Sequence, residues 1–299
     1  MVKSRNNMIL VIGVNGQLAT SLSKLKKNNI VFVGRPKFDF NRLESISECI
    51  DEYQPNLVIN TAAWTAVDLA ESNQNSARQA NYFGPKELAR VCKKIDIPLI
   101  HISTDYVYAG DKGNPYIETD PIKPETVYGK TKAEGEQAVL DENPNSVILR
   151  TSWVYASHGK NFVRTIINAA KEKSQLKVVG DQYGNPTSAD DLAKAILIIS
   201  EGLLNNKWPE YRGIYHASGT GDTNWYDFSR TILVKSQKYG LVIPKIIPIK
   251  TLDWPTAAKR PQDSRLNCDK LKKIFGITLP NWQESICKTV FDIFQHTPC

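Results

Sequence analysis

The chain has 299 residues, enough for one large α/β unit or two closely joined domains, and its 41% hydrophobic and 23% charged residues are those of a globular protein in water. No apolar run reaches membrane-spanning length, so a spanning helix is excluded. The net charge of +7 is spread among acidic residues rather than gathered into a basic run with stacking aromatics, which argues against nucleic acid as the partner.

The start, "MVKSRNNMILVIGVNG", sets basic residues before an apolar segment, as a signal peptide does. That segment is only about seven residues long and runs into a glycine turn, so a first strand fits it better. The strand runs that follow are short, apolar and rich in β-branched residues, at 8–13, 30–34, 57–63, 98–104, 146–155, 176–180 and 213–218. Helical patterns lie between them at 17–28, 42–54, 74–95, 128–142, 161–173 and 189–204. Strands that are apolar throughout rather than alternating are buried on both faces, and their alternation with helices predicts an α/β fold with a doubly wound parallel sheet. After about residue 205 the rhythm loosens. Prolines gather at Pro244, Pro248, Pro255 and Pro261, and the helical patterns at 225–240, 267–275 and 282–295 have no matching strands. The C-terminal third therefore reads as a smaller mixed α/β element.

The five cysteines (Cys49, Cys92, Cys268, Cys287 and Cys299) are odd in number, scattered and without metal-ligand spacing, as are the four histidines. A reduced, cytoplasmic protein without a metal centre is the expectation.

The first strand leads into Gly13-Val14-Asn15-Gly16-Gln17-Leu18-Ala19, a G-x-x-G-x-x-A turn into a helix. Small residues there let a pyrophosphate approach the backbone N–H groups of the helix start. A plain tight turn would show the same glycines; the position after the first strand of an alternating chain points to a dinucleotide. The second strand ends in Gly34-Arg35, where a cation suits a ribose 2′-phosphate and an acid would suit the bare hydroxyls. Arg35 thus points to NADP(H) over NAD(H), with simple solvation of an exposed arginine as the alternative. Ala62 and Ala63, at the end of the third strand, leave room for a flat ligand or for close helix packing.

The fourth strand ends in "HISTDYVYAG" (101–110), and Tyr128 follows at a helix start. At about 100° per residue Lys132 returns to the face of Tyr128 one turn on, whereas Lys130 falls on the opposite side. A free phenol has a pKa of about 10, and bringing it near neutrality takes about 4 kcal/mol, much of which a neighbouring cation supplies. A Tyr128–Lys132 pair, with Thr104 bonding the same carbonyl oxygen, would suit general acid catalysis of ketone reduction.

The glycine turn, "STDYVYAG", "VYGKTKAEGE", "RTSWVYA", "DQYGNPTSADDLA" and "RPQDSRL" together resemble the extended short-chain dehydrogenases/reductases with a Rossmann fold. Among these the chain is similar, over about residues 9–266, to the family of dTDP-4-dehydrorhamnose reductases. The resemblance implies reduction of the C4 ketone of dTDP-4-dehydro-L-rhamnose with NADPH or NADH in the cytoplasm, in dTDP-L-rhamnose synthesis. It implies residues 1–151 as the dinucleotide domain, with later segments returning to it, and 152–299 as mainly the nucleotide-sugar domain. Tyr128 would be the proton donor, Lys132 its partner and ribose anchor, and Thr104 the carbonyl-orienting hydroxyl. Asp105 and Trp153 would contact the sugar, the Trp153 indole by stacking. Gly13, Asn15, Gly16, Gln17, Leu18, Arg35, Asp39, Phe40, Ala62, Ala63 and Trp64 would line the dinucleotide. Some relatives dimerise through magnesium held by glutamates, one of them on the first helix. Here that helix begins "QLATSLSKLKK" without an acid, so that metal link is not expected, and a homodimer stays open. Two rival readings also stay open. One is an enzyme acting on another nucleotide sugar, with thymine and uracil undistinguished; dehydration is disfavoured because Tyr106, not glutamate, follows Thr104-Asp105. The other is a non-catalytic regulatory subunit resembling that of methionine adenosyltransferase.

Overall fold

The structure, a computed structural model, describes residues 7–205 and 208–295; Cys299 lies outside the described residues. β1 (Ile9–Ile12), β2 (Ile30–Val33), β3 (Leu57–Asn60), β4 (Leu99–Thr104) and β5 (Val147–Thr151) are the apolar runs expected. With β10 (Gly213–His216) they form a six-stranded sheet of order β10-β5-β4-β3-β1-β2, every pairing parallel. One face carries α1 (Gln17–Lys24) and α8 (Ala189–Leu204), whose Leu22, Leu192 and Ile196 pack against Val11, Ile59 and Leu149. The other carries α2 (Glu44–Tyr53), α5 (Gly84–Lys94) and α6 (Val127–Glu142), through Ile46, Leu88 and Val139 against Leu10, Val58 and Ile148. Strands buried on both faces need no alternation, which is why their sequences read as continuous apolar runs.

Four segments depart from the expected pattern. The run 146–155 divides, because Trp153 adopts φ +46° and the chain leaves the sheet after Thr151. Its remainder, β6 (Val154–Tyr155), pairs instead with β9 (Thr187–Ser188). The run near 176–180 is outside the main sheet: β7 (Gln175–Val179) pairs in parallel with β12 (Lys245–Ile249) in a two-stranded sheet. The proline-rich stretch therefore does contain a strand; Pro248 is tolerated in a strand with a single neighbour, where a missing N–H costs no second ladder bond. The helix expected over 74–95 breaks into α4 (Gln74–Arg78), a π-helical turn (Gln79–Phe83) and α5. Finally, α3 (Val67–Ser72) stands where no helix was expected.

A third core gathers α7 (Phe162–Glu172), α10 (Trp225–Gln237), α12 (Trp282–Gln295) and β7 around Phe228, Ile167, Val178 and Ile286. The short pieces β8 (Tyr183–Gly184) and β11 (Thr223–Asn224) pair beside it. α9 (Trp208–Tyr211) and α11 (Asp269–Phe275) lie near β10 on the sheet side. Among the described residues no helix is long and apolar enough to cross a membrane. The carboxyl ends of β1, β3, β4 and β5 point toward the third core, and parallel α/β sheets bind ligands in that crevice.

Candidate active site

α6 begins after Pro124 with Thr126 as its cap, the hydroxyl accepting the Gly129 N–H at 2.9 Å. Gly129 leaves space for the Tyr106 carbonyl, which would stand 2.2 Å from a β-carbon there. This contact seats the helix start on the end of β4, where the rings of Tyr106 and Tyr128 meet edge to face at 5.5 Å. Lys132 is 1% exposed, while Lys130 is exposed to solvent, as the helical face argument requires. The same face continues one turn further to Glu136, which is buried and clasped by Arg150 of β5 through contacts of 2.6–3.1 Å. Arg150 also donates to Tyr108 Oη at 2.7 Å, and the Ser103 hydroxyl donates to Glu136.

Lys132 Nζ lies 2.6 Å from the Ile102 carbonyl and 3.2 Å from His101 Nε2. Tyr128 departs from expectation accordingly. Burial pushes its phenol above the ordinary value, a hydrogen bond with Thr104 pulls it back, and Asp105 and Tyr106 raise it further. A half-buried phenol whose helix partner Lys132 is turned to β4 keeps its proton, which is the state a proton donor needs. Burial brings Lys132 down to about 8, opposed by Glu136.

Thr104 closes β4, its hydroxyl donating to Asp105 Oδ1 at 3.0 Å and accepting from the Tyr106 N–H. Asp105 is 2% exposed, and its Oδ2 has no hydrogen-bond partner in the structure. Burial raises this carboxyl to about 6, with hydrogen bonds from Ser264 and Thr104 among the groups drawing it down. A carboxyl whose folded value lies above its unfolded value of 3.8 destabilises the fold progressively as pH rises through 6. Asp105→Asn is expected to stabilise the protein by about 3 kcal/mol at pH 8, the gain shrinking toward zero below pH 4. Denaturant titrations at the two pH values would show it; a gain independent of pH would contradict the burial argument.

On the dinucleotide side, Gly13 takes φ +108°, and a β-carbon there would strike the Thr61 hydroxyl at 2.6 Å. Gly16 caps α1 with no side-chain bond, faces open space, and is followed by a first turn without an acid. The exposed N–H groups and positive end of α1 thus suit an anion. Gln17 reaches β6 through Nε2, 3.4 Å from the Val154 carbonyl, and its buried Oε1 has no partner. These features fit a pyrophosphate and its ribose. Asn15 is exposed at the turn, Leu18 lies in the core and offers only its backbone, and Ala62 and Ala63 are half-buried after β3. Trp64 follows, held by Asn81 Oδ1 at its N–H and by the Ala66 carbonyl at its indole. Arg35 is exposed beside the turn, its neighbour Gly34 touching Val14. Asp39 Oδ1 accepts from the Asn41 backbone and side-chain N–H groups, and the Phe40 ring is buried against Phe38 and Gly84.

On the substrate side, a cavity of about 750 Å³ is lined by Tyr106, Phe162, Trp225, Trp254, Lys173, Lys177 and Arg260 among others. Its size and apolar walls are those of a small-molecule site. Trp153 stacks one indole face on Trp225 of that wall, centroids 3.4 Å apart and planes 7° from parallel. Gly184 makes this possible, since a β-carbon there would meet the Trp153 ring at 2.4 Å. A bulky residue at positive φ costs about 1–3 kcal/mol, and such strain gathers at functional sites. With Trp225 on one face of the indole and Gly184 over the other, Trp153 offers a ligand its edge rather than an open face. Arg260 spans from Tyr106 Oη (2.9 Å) to Asp68 Oδ2 (2.5 Å), tying the cavity wall to α3. Among the described residues no group of three or more His, Cys, Asp or Glu side chains is placed to hold a metal ion.

The structure therefore brings Thr104, Asp105 and Tyr128 together, buries Lys132 along the same helix face, and sets the glycine turn at the neighbouring strand ends. Sequence reasoning passed over Glu136, Trp225, His101, Asn60 and Arg260. Glu136 was signalled by its eight-residue spacing from Tyr128, and His101 and Asn60 by being polar within apolar strands.

Known proteins match the chain over nearly its whole length. The dTDP-4-dehydrorhamnose reductase of Sinorhizobium fredii is 42% identical over 286 residues, 95% of this chain and 96% of that protein. The crystal structure of a dTDP-4-dehydrorhamnose reductase from Clostridium acetobutylicum is 36% identical and superposes with a TM-score of 0.88, covering 96% of this chain and 99% of that one. That of the Bacillus anthracis enzyme in complex with NADP is 30% identical with the same TM-score and coverage. The profile described as RmlD substrate binding domain matches residues 7–294, and the chain belongs to that family.

Proposed function

We propose that the chain reduces the C4 ketone of dTDP-4-dehydro-L-rhamnose to dTDP-L-rhamnose with NADPH, in the cytoplasm. One observation carries the reading: the Thr104 and Tyr128 hydroxyls and the unpartnered Asp105 Oδ2 converge beside a large cavity whose walls combine aromatic rings with cations. A nucleotide sugar needs that combination. Its base stacks on aromatic side chains, its diphosphate pairs with cations such as Arg260 and Lys177, and a sugar hydroxyl satisfies Asp105. Its curated relatives named as dTDP-4-dehydrorhamnose reductases agree with this.

NADPH, when bound, supplies the hydride that reduces C4. The chain's own part is positioning and proton delivery. Residues 1–151, with β10 and α8 returning to the sheet, hold the dinucleotide at Gly13, Asn15, Gly16 and Gln17 and along Ala62, Ala63 and Trp64; the rest mainly holds the nucleotide sugar. Thr104 orients the C4 oxygen, and Tyr128 gives its phenolic proton to that oxygen as negative charge develops. Water later restores the proton to Tyr128. Trp153 contacts the sugar through the edge of its indole, and Lys132 anchors the nicotinamide ribose. The backbone near Asp39 and Phe40 flanks the adenosine, with Arg35 on the 2′-phosphate.

Loss of absorbance at 340 nm, with dTDP-4-dehydrorhamnose generated in place, tests the reading; no NADPH consumption would rule it out. Parallel runs with NADH test Arg35. Arg35→Ser is expected to lower kcat/KM for NADPH about tenfold or more while leaving NADH unchanged, the loss of one charge-assisted contact. An unchanged ratio would leave Arg35 with no part in the choice of cofactor.

A further inference from the structure

The surroundings of Lys132 fix more than its position. On the far side of the His101 ring, Nδ1 lies 2.9 Å from Asn60 Nδ2. The other atom of that amide is committed, since Asn60 Oδ1 accepts the Ala62 N–H at 3.1 Å. The amide therefore presents its NH₂ to His101, and Nδ1 must be the acceptor. A neutral imidazole carries one proton, so Nε2 holds it and aims it at Lys132, 3.2 Å away. An ammonium has three donors and no acceptor, and would meet Nε2–H donor against donor. A neutral amine resolves the conflict: its lone pair accepts from Nε2–H while its own N–H donates to the Ile102 carbonyl at 2.6 Å.

Burial keeps the exchange local, with Asn60 and Lys132 1% exposed and His101 0%. It also holds His101 well below the ordinary imidazole value, so the ring does not resolve the clash by taking a second proton. Among the titratable groups of its surroundings, Glu136 lies one turn on along its own helix, neutralised by Arg150 of β5, Tyr128 lies one turn back on the same helix, and Asp105 follows the end of β4. From the remaining elements packed on α6, Glu71 reaches it at Val127, Arg78 at Glu134 and Lys86 at Glu142, the last two on its solvent side.

We infer that His101 and Asn60 are positioning residues that favour the neutral amine of Lys132 in the dinucleotide-free chain, and that at alkaline pH the lysine takes up a proton from solvent when a dinucleotide binds. The oxygens of a ribose are acceptors for an ammonium, which supplies the differential affinity. The second half of the inference rests on the dinucleotide reading; the first does not. Lys132 titrates near pH 8 in the free chain, so dinucleotide affinity is expected to fall about tenfold per pH unit above that.

Long-range ¹H–¹⁵N NMR of histidine-labelled wild-type protein at pH 9, without dinucleotide, should find the His101 proton on Nε2; a proton on Nδ1 would overturn the inference. Calorimetry of NADP⁺ binding at pH 9, in two buffers of different ionisation enthalpy, should show uptake of about 0.9 proton per site in the wild type. In Asn60→Asp the carboxylate accepts from Nδ1–H, which turns Nε2 into an acceptor for the ammonium, and uptake should fall near zero. Equal uptake in both proteins would contradict the coupling. Absence of NADP⁺ binding would sink the dinucleotide reading instead and leave the wild-type NMR result to decide on His101.

Discussion

Tyr128→Phe is expected to lower kcat at least about a hundredfold while changing dinucleotide affinity by less than about threefold. The substitution removes one oxygen and keeps the ring that packs edge to face on Tyr106. What is lost is the proton delivered to the C4 oxygen, and general acids of this kind contribute about 10²–10⁴ in rate. Thr104 remains, so the ketone is still oriented and some activity survives. The lysines separate the helical argument from general charge: Lys132 is buried, whereas Lys130 is exposed. Lys130→Ala should stay within about twofold of wild type, and Lys132→Ala should lose at least tenfold. Steady-state kinetics with saturating NADPH would read both. A loss below tenfold in Tyr128→Phe, or equal losses in the two lysine variants, would place the proton donor elsewhere.

Glu136→Ala is expected to cost about 3–5 kcal/mol of stability, the largest effect outside the cleft. Arg150 is 0% exposed and Glu136 1%, and their forked contact is made inside the sheet-to-α6 interface. Breaking a buried pair leaves an uncompensated charge, which is far costlier than the pair itself is worth. The remaining bond from Arg150 to Tyr108 Oη does not neutralise the guanidinium. The double variant Glu136→Ala/Arg150→Met should therefore recover part of the loss, because it removes the stranded charge along with its partner. Guanidinium unfolding of the three variants measures this; a single-variant loss below about 1 kcal/mol would mean that water reaches the pair.

The fold was legible where one local rule decides. Strands buried on both faces announce themselves as apolar runs, and α6 was expected at 128–142 against an observed Val127–Glu142. Long-range decisions were not legible. Nothing near "RTSWVY" requires Trp153 to take φ +46°; that goes with its stack on Trp225 and with the side-chain-free Gly184, whose place its ring fills. The π-turn at Gln79–Phe83 follows from Gly135, which lets α6 approach the Asn81 carbonyl, a fact of packing between segments far apart in the chain. In the site, spacing alone separated Lys132 from Lys130. It could not tell that Lys132 Nζ turns to His101, or that burial raises the phenol that Lys132 was expected to lower. A helix period reports which residues share a face, and the tertiary neighbours decide what they do there.

Hydride delivery to C4 of a dTDP-linked sugar and proton delivery to its oxygen take place in this one cleft. NADPH deuterated on C4 of the nicotinamide, on the face transferred, tests it directly when the product sugar is read by NMR. The account predicts deuterium at C4 of dTDP-L-rhamnose from the wild type, with at least a hundredfold less formed per unit time by Tyr128→Phe. Absence of deuterated product from the wild type, or deuterium at any other carbon, would contradict it.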